Sequence, residues 1–459
     1  MIQKNIILLP IEIKSREFNA KLYFASQAIR RGYEVWIGFA KYFHENMPLF
    51  PRGILIENDV GKGMGSILPV ARRLGFAVTA WDEEALVVKN DDFYVDERVP
   101  YSHIKECYRF FTRGEGDRAS LLRRYPDLDG HLIPAGNPRI DILAPEYRAI
   151  HQIQDIDVGR RIILVNSRFS HSNPYHMDRQ SFRDGLLRRS NLTGKALDFK
   201  VGYMDHTDRL YESFHAMVER LPDAFPDHQI VIRPHPSESP DPWDAMAARH
   251  SNVMVSKSHT ATAWSMVADA TIHNGCTTAI EAALLGCNIV AYCPVRSDLY
   301  DVRLPNQVSV QTEEVEQLIS VVRGMSRPGA AEMQANSAAA RKRLEGLIGP
   351  AMGGSANATA IVLDVLQGVT AWPDRSAKDM LFSVKYRLDY WCKRRKASQA
   401  NGEGLDAAAL LDSYALEKFA GVDAGEAQAA LRIFGAADAD VADLGNQWLR
   451  ITTPTGAGH

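Results

Sequence analysis

Strand-length apolar runs alternate with helix-length segments along most of this 459-residue chain, and that alternation leaves few folds open. Residues 6–9 read as a buried strand, residues 18–31 as an amphipathic helix stopped by Gly32, and residues 33–38 as a second strand. Further strands are expected at 53–56, 76–80 and 109–112, with helices at 67–74 and 118–124. A polar link near 144–159 precedes a second series, with strands at 161–166, 229–232, 252–255, 270–272 and 288–292. Strands separated by helices at this spacing predict parallel, doubly wound sheets. The fold class is therefore α/β, with two Rossmann-like domains and ligands at the carboxyl ends of the strands.

Length and charge narrow the function. A chain this long exceeds one ordinary core, which fits two main domains plus an extension. The net charge of −3 gives no general field for nucleic acid, so no nucleic-acid partner is expected. The five cysteines are odd in number and show no CxxC pairing, which argues for reduced thiols and against a zinc site. The first apolar run is short and is followed at once by Glu12 and Lys14, so it reads as a strand rather than a leader. A cytoplasmic protein is expected, with peripheral attachment to the inner membrane open. That attachment rests on residues 378–396, which are basic and aromatic and can lie on an anionic bilayer or pack back on the domains.

Two motifs about forty residues apart carry the chemistry. Arg233-Pro234-His235-Pro236 follows an apolar strand, and the two prolines fix the backbone around His235. His235 and Arg233 can donate to a phosphate, with Pro236 shaping the turn. The second motif runs from His273 to Gly286. It supplies Asn274, a close-approach glycine at Gly275, the hydroxyls of Thr277 and Thr278, and a helix N-terminus that favours an anion. Glu281 can take ribose hydroxyls. Thr278-x-x-Glu281 equally fits a capping box, and both hold if Thr277 faces the ligand while Thr278 caps. Ser167 and Arg168 end the first strand of the second series, where they can reach a donor phosphate or sugar.

In the first series, Asp82-Glu83-Glu84 follows a strand. Three adjacent carboxylates repel, which raises one pKa and suits a general base, although acids are also common at helix starts. Lys14, Arg16 and Glu17, after the first strand, can hold an acceptor sugar or form a surface ion-pair cluster. The glycine-rich stretch 58–65 lacks both the Gly-Lys-Ser/Thr ending and G-x-G-x-x-G, so neither a Walker loop nor a nicotinamide cofactor is expected.

Over roughly residues 1–368 the chain resembles bacterial surface-carbohydrate biosynthesis proteins of the GT-B glycosyltransferase type. The resemblance rests on residues 12–17, on Asp82-Glu83-Glu84, on Gly136-Asn137-Pro138-Arg139-x-Asp141, on 233–236 and on 273–286. The His-Pro pair with a later hydroxyl loop is similar to sialyl-, Kdo- and CDP-glycerol transferases. That implies His235 with Thr277 or Thr278 at a cytidine nucleotide's phosphate. Relatives using CMP-sugars have a glycine after the acidic pair, whereas Ala85 follows here.

The resemblance implies an acceptor domain over 1–148 and a nucleotide-sugar domain over 155–368. The basic, aromatic and Ala-rich stretches after them read as a helical extension over 370–459, and two doubly wound domains predict a cleft between them. It implies transfer of a sugar, foremost a CMP-activated ulosonic acid such as Kdo, to a lipid-linked or oligosaccharide acceptor in capsule or lipopolysaccharide synthesis. No metal and no separate cofactor are expected. The alternatives are a UDP-sugar 2-epimerase-like enzyme, a UDP-hexose or CDP-polyol transferase, and a non-catalytic glycan-binding subunit.

Overall fold

The computed structural model describes residues 5–83, 94–153, 161–190, 192–345, 347–349, 357–368, 375–401 and 418–454. Glu84 lies outside them. The chain forms two compact units, one of residues 1–150 with 344–459 and the other of residues 151–343.

The first unit is built on an eight-stranded sheet. Its strands are β1 (Ile6–Ile11), β2 (Glu34–Phe39), β3 (Ile54–Glu57), β4 (Ala77–Trp81), β5 (Arg109–Thr112) and β6 (Leu132–Pro134), joined by β13 (Asp440–Asp443) and β14 (Trp448–Thr452). The order is β13-β14-β2-β1-β3-β4-β5-β6. Pairing is parallel from β2 to β6 and antiparallel at β14–β2 and β13–β14. Every residue of β1 is buried, as expected of a central parallel strand covered on both faces.

The second unit holds β7 (Arg161–Asn166), β8 (His228–Arg233), β9 (Val253–Val255), β10 (Ala270–His273), β11 (Ile289–Tyr292) and β12 (Val310–Thr312). These form a parallel sheet in the order β12-β11-β10-β7-β8-β9. The expected α/β class and both doubly wound sheets are present. Among the described residues no helix is long and apolar enough to cross a membrane.

The domain limits differ from the expectation in two ways. The helix Ala358–Gln367 joins the first unit, where Val362, Leu363 and Leu366 enter the core around β1. Its first turn is held by Asp141, whose carboxylate accepts from the backbone N–H groups of Ala358 (3.0 Å) and Thr359 (2.9 Å). The end of the chain is also not wholly helical. Trp448 to Thr452 adds an antiparallel strand beside β2. The Trp448 ring lies where a Cβ on Gly38 would sit, 2.6 Å from its Cγ, so only glycine admits this pairing. A helix at Ala424–Ile433 precedes the strand pair.

Candidate functional site

Each sheet reverses its order at its first strand. In the second unit the chain leaves β7 toward β8 and β9, then returns to β10 on the other side. The carboxyl ends of β7 and β10 therefore flank a topological switch point, where open α/β sheets bind ligands. The expected Thr-Thr motif and Asn166–Arg168 lie on these two sides. Asn166 Nδ2 donates to Thr278 Oγ1 at 3.2 Å. Arg168 donates through Nη2 to Asn274 Oδ1 at 3.0 Å and through Nε to the Asn274 carbonyl. Asn274 Nδ2 donates in turn to the Tyr292 carbonyl at 2.7 Å.

Gly275 has φ +59°, in the left-handed region, and its N–H donates to Asn306 Oδ1 at 2.7 Å. A Cβ there would lie 3.0 Å from two nitrogens of Arg168. Gly275→Ala is accordingly expected to cost about 1 kcal/mol or more in stability from the strained φ. It should also push Arg168 off Asn274 and weaken anion binding at the loop. Paired unfolding and binding titrations check both effects.

The helix Thr278–Leu285 begins without a capping box. Thr277 occupies the cap position in helical conformation (φ −63°, ψ −27°), so its hydroxyl cannot reach back, and no side-chain cap bond forms. Thr278 is the first helical residue, and its hydroxyl is engaged by Asn166 and lies 3.0 Å from Cys276 Sγ. Glu281 is buried one turn further in. This corrects the capping alternative and leaves the half-buried Thr277 and the uncapped helix start facing the switch point.

His273 is fully buried. Its Nδ1 accepts the Cys276 N–H at 3.4 Å, so Nε2 carries the proton and donates to Ser309 Oγ at 2.8 Å. Burial pushes its pKa down to about 3, so the ring is a neutral brace for the loop.

The Arg233–Pro236 turn divides its roles. Arg233 donates to the carbonyls of Ser256 (3.2 Å), Ser258 and His259 (2.8 Å). Its guanidinium is committed to holding the loop after β9, which replaces the expected phosphate contact. His235 Nδ1 accepts the Ser237 N–H at 3.1 Å, which leaves the proton on Nε2 as a donor. The ring is half-buried and aimed, as the flanking prolines require.

Glu238 is the residue that sequence reasoning missed. It is fully buried, accepts from Ser167 Oγ at 2.7 Å and from the Phe169 N–H, and its own N–H donates to the His235 carbonyl at 2.8 Å. Burial raises its pKa to about 7. It ties the end of β7 to the His235 turn. Ser167 and Arg168 are thus spent inside the scaffold, on Glu238 and Asn274, rather than presented to a ligand.

The first unit has its own switch point at β1, between β2 and β3. The expected acceptor loop is here the start of the helix Lys14–Ile29. Glu17 is fully buried and accepts from the N–H groups of Ile13 (2.9 Å) and Glu12 (3.2 Å), from Lys21 Nζ (2.8 Å) and from Asn58 Nδ2 (2.9 Å). Lys21, 1% exposed, also donates to Asn58 Oδ1 at 2.5 Å. Burial opposes ionisation of Glu17, but Lys21, Arg16 and these donors outweigh it and hold its pKa at about 2. Lys14 pairs with Glu426 at 2.6 Å, and Arg16 leans on Glu17 at 3.4 Å. Glu17 is therefore a buried brace, which corrects its expected role as an acceptor contact.

The acidic run resolves by its partners. Asp82 is neutralised by Arg98, whose Nη2 lies 2.6 Å from Oδ1. Glu83 is also buried, but its carboxylate receives Asn137 Nδ2 at 3.2 Å and only a distant Arg139 Nη1 at 3.8 Å. Burial first, then the nearby Glu17 charge, raises its pKa. It lines a small recess with Asp82, Arg113, Asn137, Arg139, Ile140 and Ile348. Asn137 also caps the short helix Pro138–Asp141 by accepting the Arg139 N–H at 2.8 Å. The Gly136–Asp141 motif thus serves Glu83 at one end and docks the helix Ala358–Gln367 at the other.

No protein-family model matches the chain, and no curated protein matches it. Among solved structures, the UDP-GlcNAc 2-epimerase of Neisseria meningitidis, bound to UDP-GlcNAc, is similar at a TM-score of 0.44 and 12% identity, over 80% of this chain and 100% of that one. The UDP-GlcNAc 2-epimerase of Methanocaldococcus jannaschii, in complex with UDP-GlcNAc and UDP, gives 0.42 and 14%, over 74% and 99%. The wall teichoic acid polymerase TagF, soaked with CDPG, gives 0.47 and 9%, over 80% and 88%. At such identities and scores, what this chain does has to be read from its own residues.

Proposed function

We propose that this chain is a nucleotide-sugar-dependent glycosyltransferase of surface-polysaccharide synthesis, with the donor nucleotide held by the second unit. The observation that carries the reading is the β7/β10 switch point. There an uncapped helix start, the Thr277 hydroxyl and a positive-φ glycine stand on a scaffold fixed by Asn166, Arg168 and Asn274. The positive dipole end of such a helix, with the Thr277 hydroxyl beside it, favours a phosphate, although the N–H groups of Gly275, Cys276, Ala279 and Ile280 are already taken by Asn306 Oδ1, His273 Nδ1 and the carbonyls of Cys276 and Thr277. His235, at the end of neighbouring β8, adds an imidazole N–H.

In this reading the acceptor hydroxyl attacks the anomeric carbon and the bond from that carbon to the phosphate oxygen breaks. The nucleotide leaves with the electron pair, and the helix start and His235 stabilise its charge. The hydroxyl proton goes to a general base, the role we assign to Glu83 on the strength of its raised pKa. A cytidine monophosphate donor carrying an ulosonic acid is the favoured substrate, and a lipid-linked glycan the favoured acceptor.

Calorimetric titration with CMP, CDP, UDP and GDP tests this. CMP-selective binding is expected, and His235→Ala should weaken it by about tenfold or more, the worth of one hydrogen bond to a charged group. UDP selectivity would overturn the donor and favour the epimerase-like or UDP-hexose alternatives. Absence of binding to all four would overturn the reading in favour of a glycan-binding subunit.

A further inference from the structure

The helix Ala377–Asn401 meets the first unit with one face only. Asp379 and Ser383 are buried, and Arg73 Nε donates to Asp379 Oδ1 at 3.1 Å while its guanidinium lies 3.6 Å over the Phe382 ring. Tyr386 packs on the core, Arg387 Nη1 donates to the Pro48 carbonyl at 2.7 Å, and the Tyr390 hydroxyl donates to Asn46 Oδ1 at 2.6 Å. These positions recur every three or four residues and define one docked stripe.

A polar outer face would be ordinary opposite such a stripe. Here the outer face carries Met380 (52% exposed), Leu381 (72%), Val384 (58%), Leu388 (60%) and Trp391 (52%). At about 100° per residue these five fall within an arc of about 100°. Ten large hydrophobic side chains are exposed among the described residues, and half of them lie on this arc, so the apolar surface is concentrated rather than scattered. Lys378, Lys385, Lys393 and Arg395 are exposed on the same helix, against one exposed acid, Asp389. On the same geometry Lys385 and Lys378 fall about 40° and 60° beyond one edge of the arc, Arg395 falls within it and Lys393 lies on the opposite side.

The charge decides between occupants. A second copy on a two-fold axis would set these cations against themselves. An anionic lipid surface complements both the stripe and its basic border. We propose that the helix Ala377–Asn401 lies in the interface of an anionic bilayer. Met380, Leu381, Val384, Leu388 and Trp391 enter the acyl boundary, and the flanking Lys and Arg side chains take the headgroups. Of the aromatic residues in this segment, Phe382, Tyr386 and Tyr390 dock the helix on the protein, and Trp391 remains for lipid.

Vesicle flotation of the full chain tests the inference, with phosphatidylcholine alone and with phosphatidylglycerol added. Binding is expected only with the anionic lipid and should fall with added salt. Lys378→Glu with Lys385→Glu should weaken it by about tenfold or more, at about 1 kcal/mol per cation. Leu381→Ser with Leu388→Ser should abolish it, and both pairs are surface changes that leave the docked face intact. No binding by the natural chain, or binding indifferent to anionic lipid and to charge reversal, would overturn the proposal. So would a dimer in light scattering that the serine pair dissociates without any vesicle binding, which would assign the stripe to a second copy.

Discussion

Glu83→Gln is expected to lower transferase turnover by about a hundredfold to ten-thousandfold, the usual worth of a general base. Nucleotide affinity should stay unchanged. Glutamine keeps the acceptor for Asn137 and the side-chain volume, so the loss reports proton transfer rather than collapse of the recess. The pH profile adds a second readout. The ionised form is the active one, and its pKa is raised by burial and by the Glu17 charge. In the natural chain the rate should therefore climb with pH through a value above 4.5, and in Glu83→Gln that limb should vanish. Turnover is measured with the nucleotide sugar that the titration selects. Undiminished turnover in the variant would remove Glu83 from the reaction.

Glu238→Ala should be strongly destabilising to the second unit. It orphans the Ser167 hydroxyl and the Phe169 N–H in the interior, at about 1–3 kcal/mol for each unsatisfied donor. Glu238→Gln can satisfy both sites, accepting from Phe169 and donating to Ser167 Oγ, so its loss should be far smaller. The natural residue also leaves a signature in pH. Its folded pKa of about 7 lies above the ordinary 4.5, so the folded state binds more protons between those values. Its contribution is complete below 4.5 and declines as pH rises toward 7. Glu17 acts in the opposite sense, since its pKa is held at about 2 and its contribution is lost only as pH falls below 4.5. Thermal unfolding followed across pH should show a downward slope toward neutrality that Glu238→Gln removes. An unchanged slope in that variant would mean that another group carries it.

The placement of the candidate residues was legible in the sequence because they lie at strand ends. The apolar runs fixed where β7, β8 and β10 stop, and the residues after them fall at the sheet's carboxyl edge whatever the tertiary detail. The fold class followed from the same local pattern. The roles within each motif were less legible. Arg233 and His235 look alike as donors in sequence, yet Arg233 is turned to three carbonyls and His235 accepts the Ser237 N–H at Nδ1. The Glu12–Glu17 run reads as a mixed-charge loop, and only the meeting with Lys21 and Asn58 turns Glu17 inward.

The sequence by itself determined the alternation of strands and helices, the two doubly wound sheets and which residues follow the carboxyl ends of their strands. Those features depend on the periodicity of apolar residues close together in the chain. The tertiary structure alone decided which carboxylate is neutralised by Arg98 and which is left to Asn137. It alone made Glu238 a buried hub, carried residues 357–368 into the first unit, and set Trp448 against Gly38. Each of these depends on which distant residue arrives as a partner, because burial makes an unpaired charge or donor costly. A pairing across tens or hundreds of residues leaves no periodic trace in either segment.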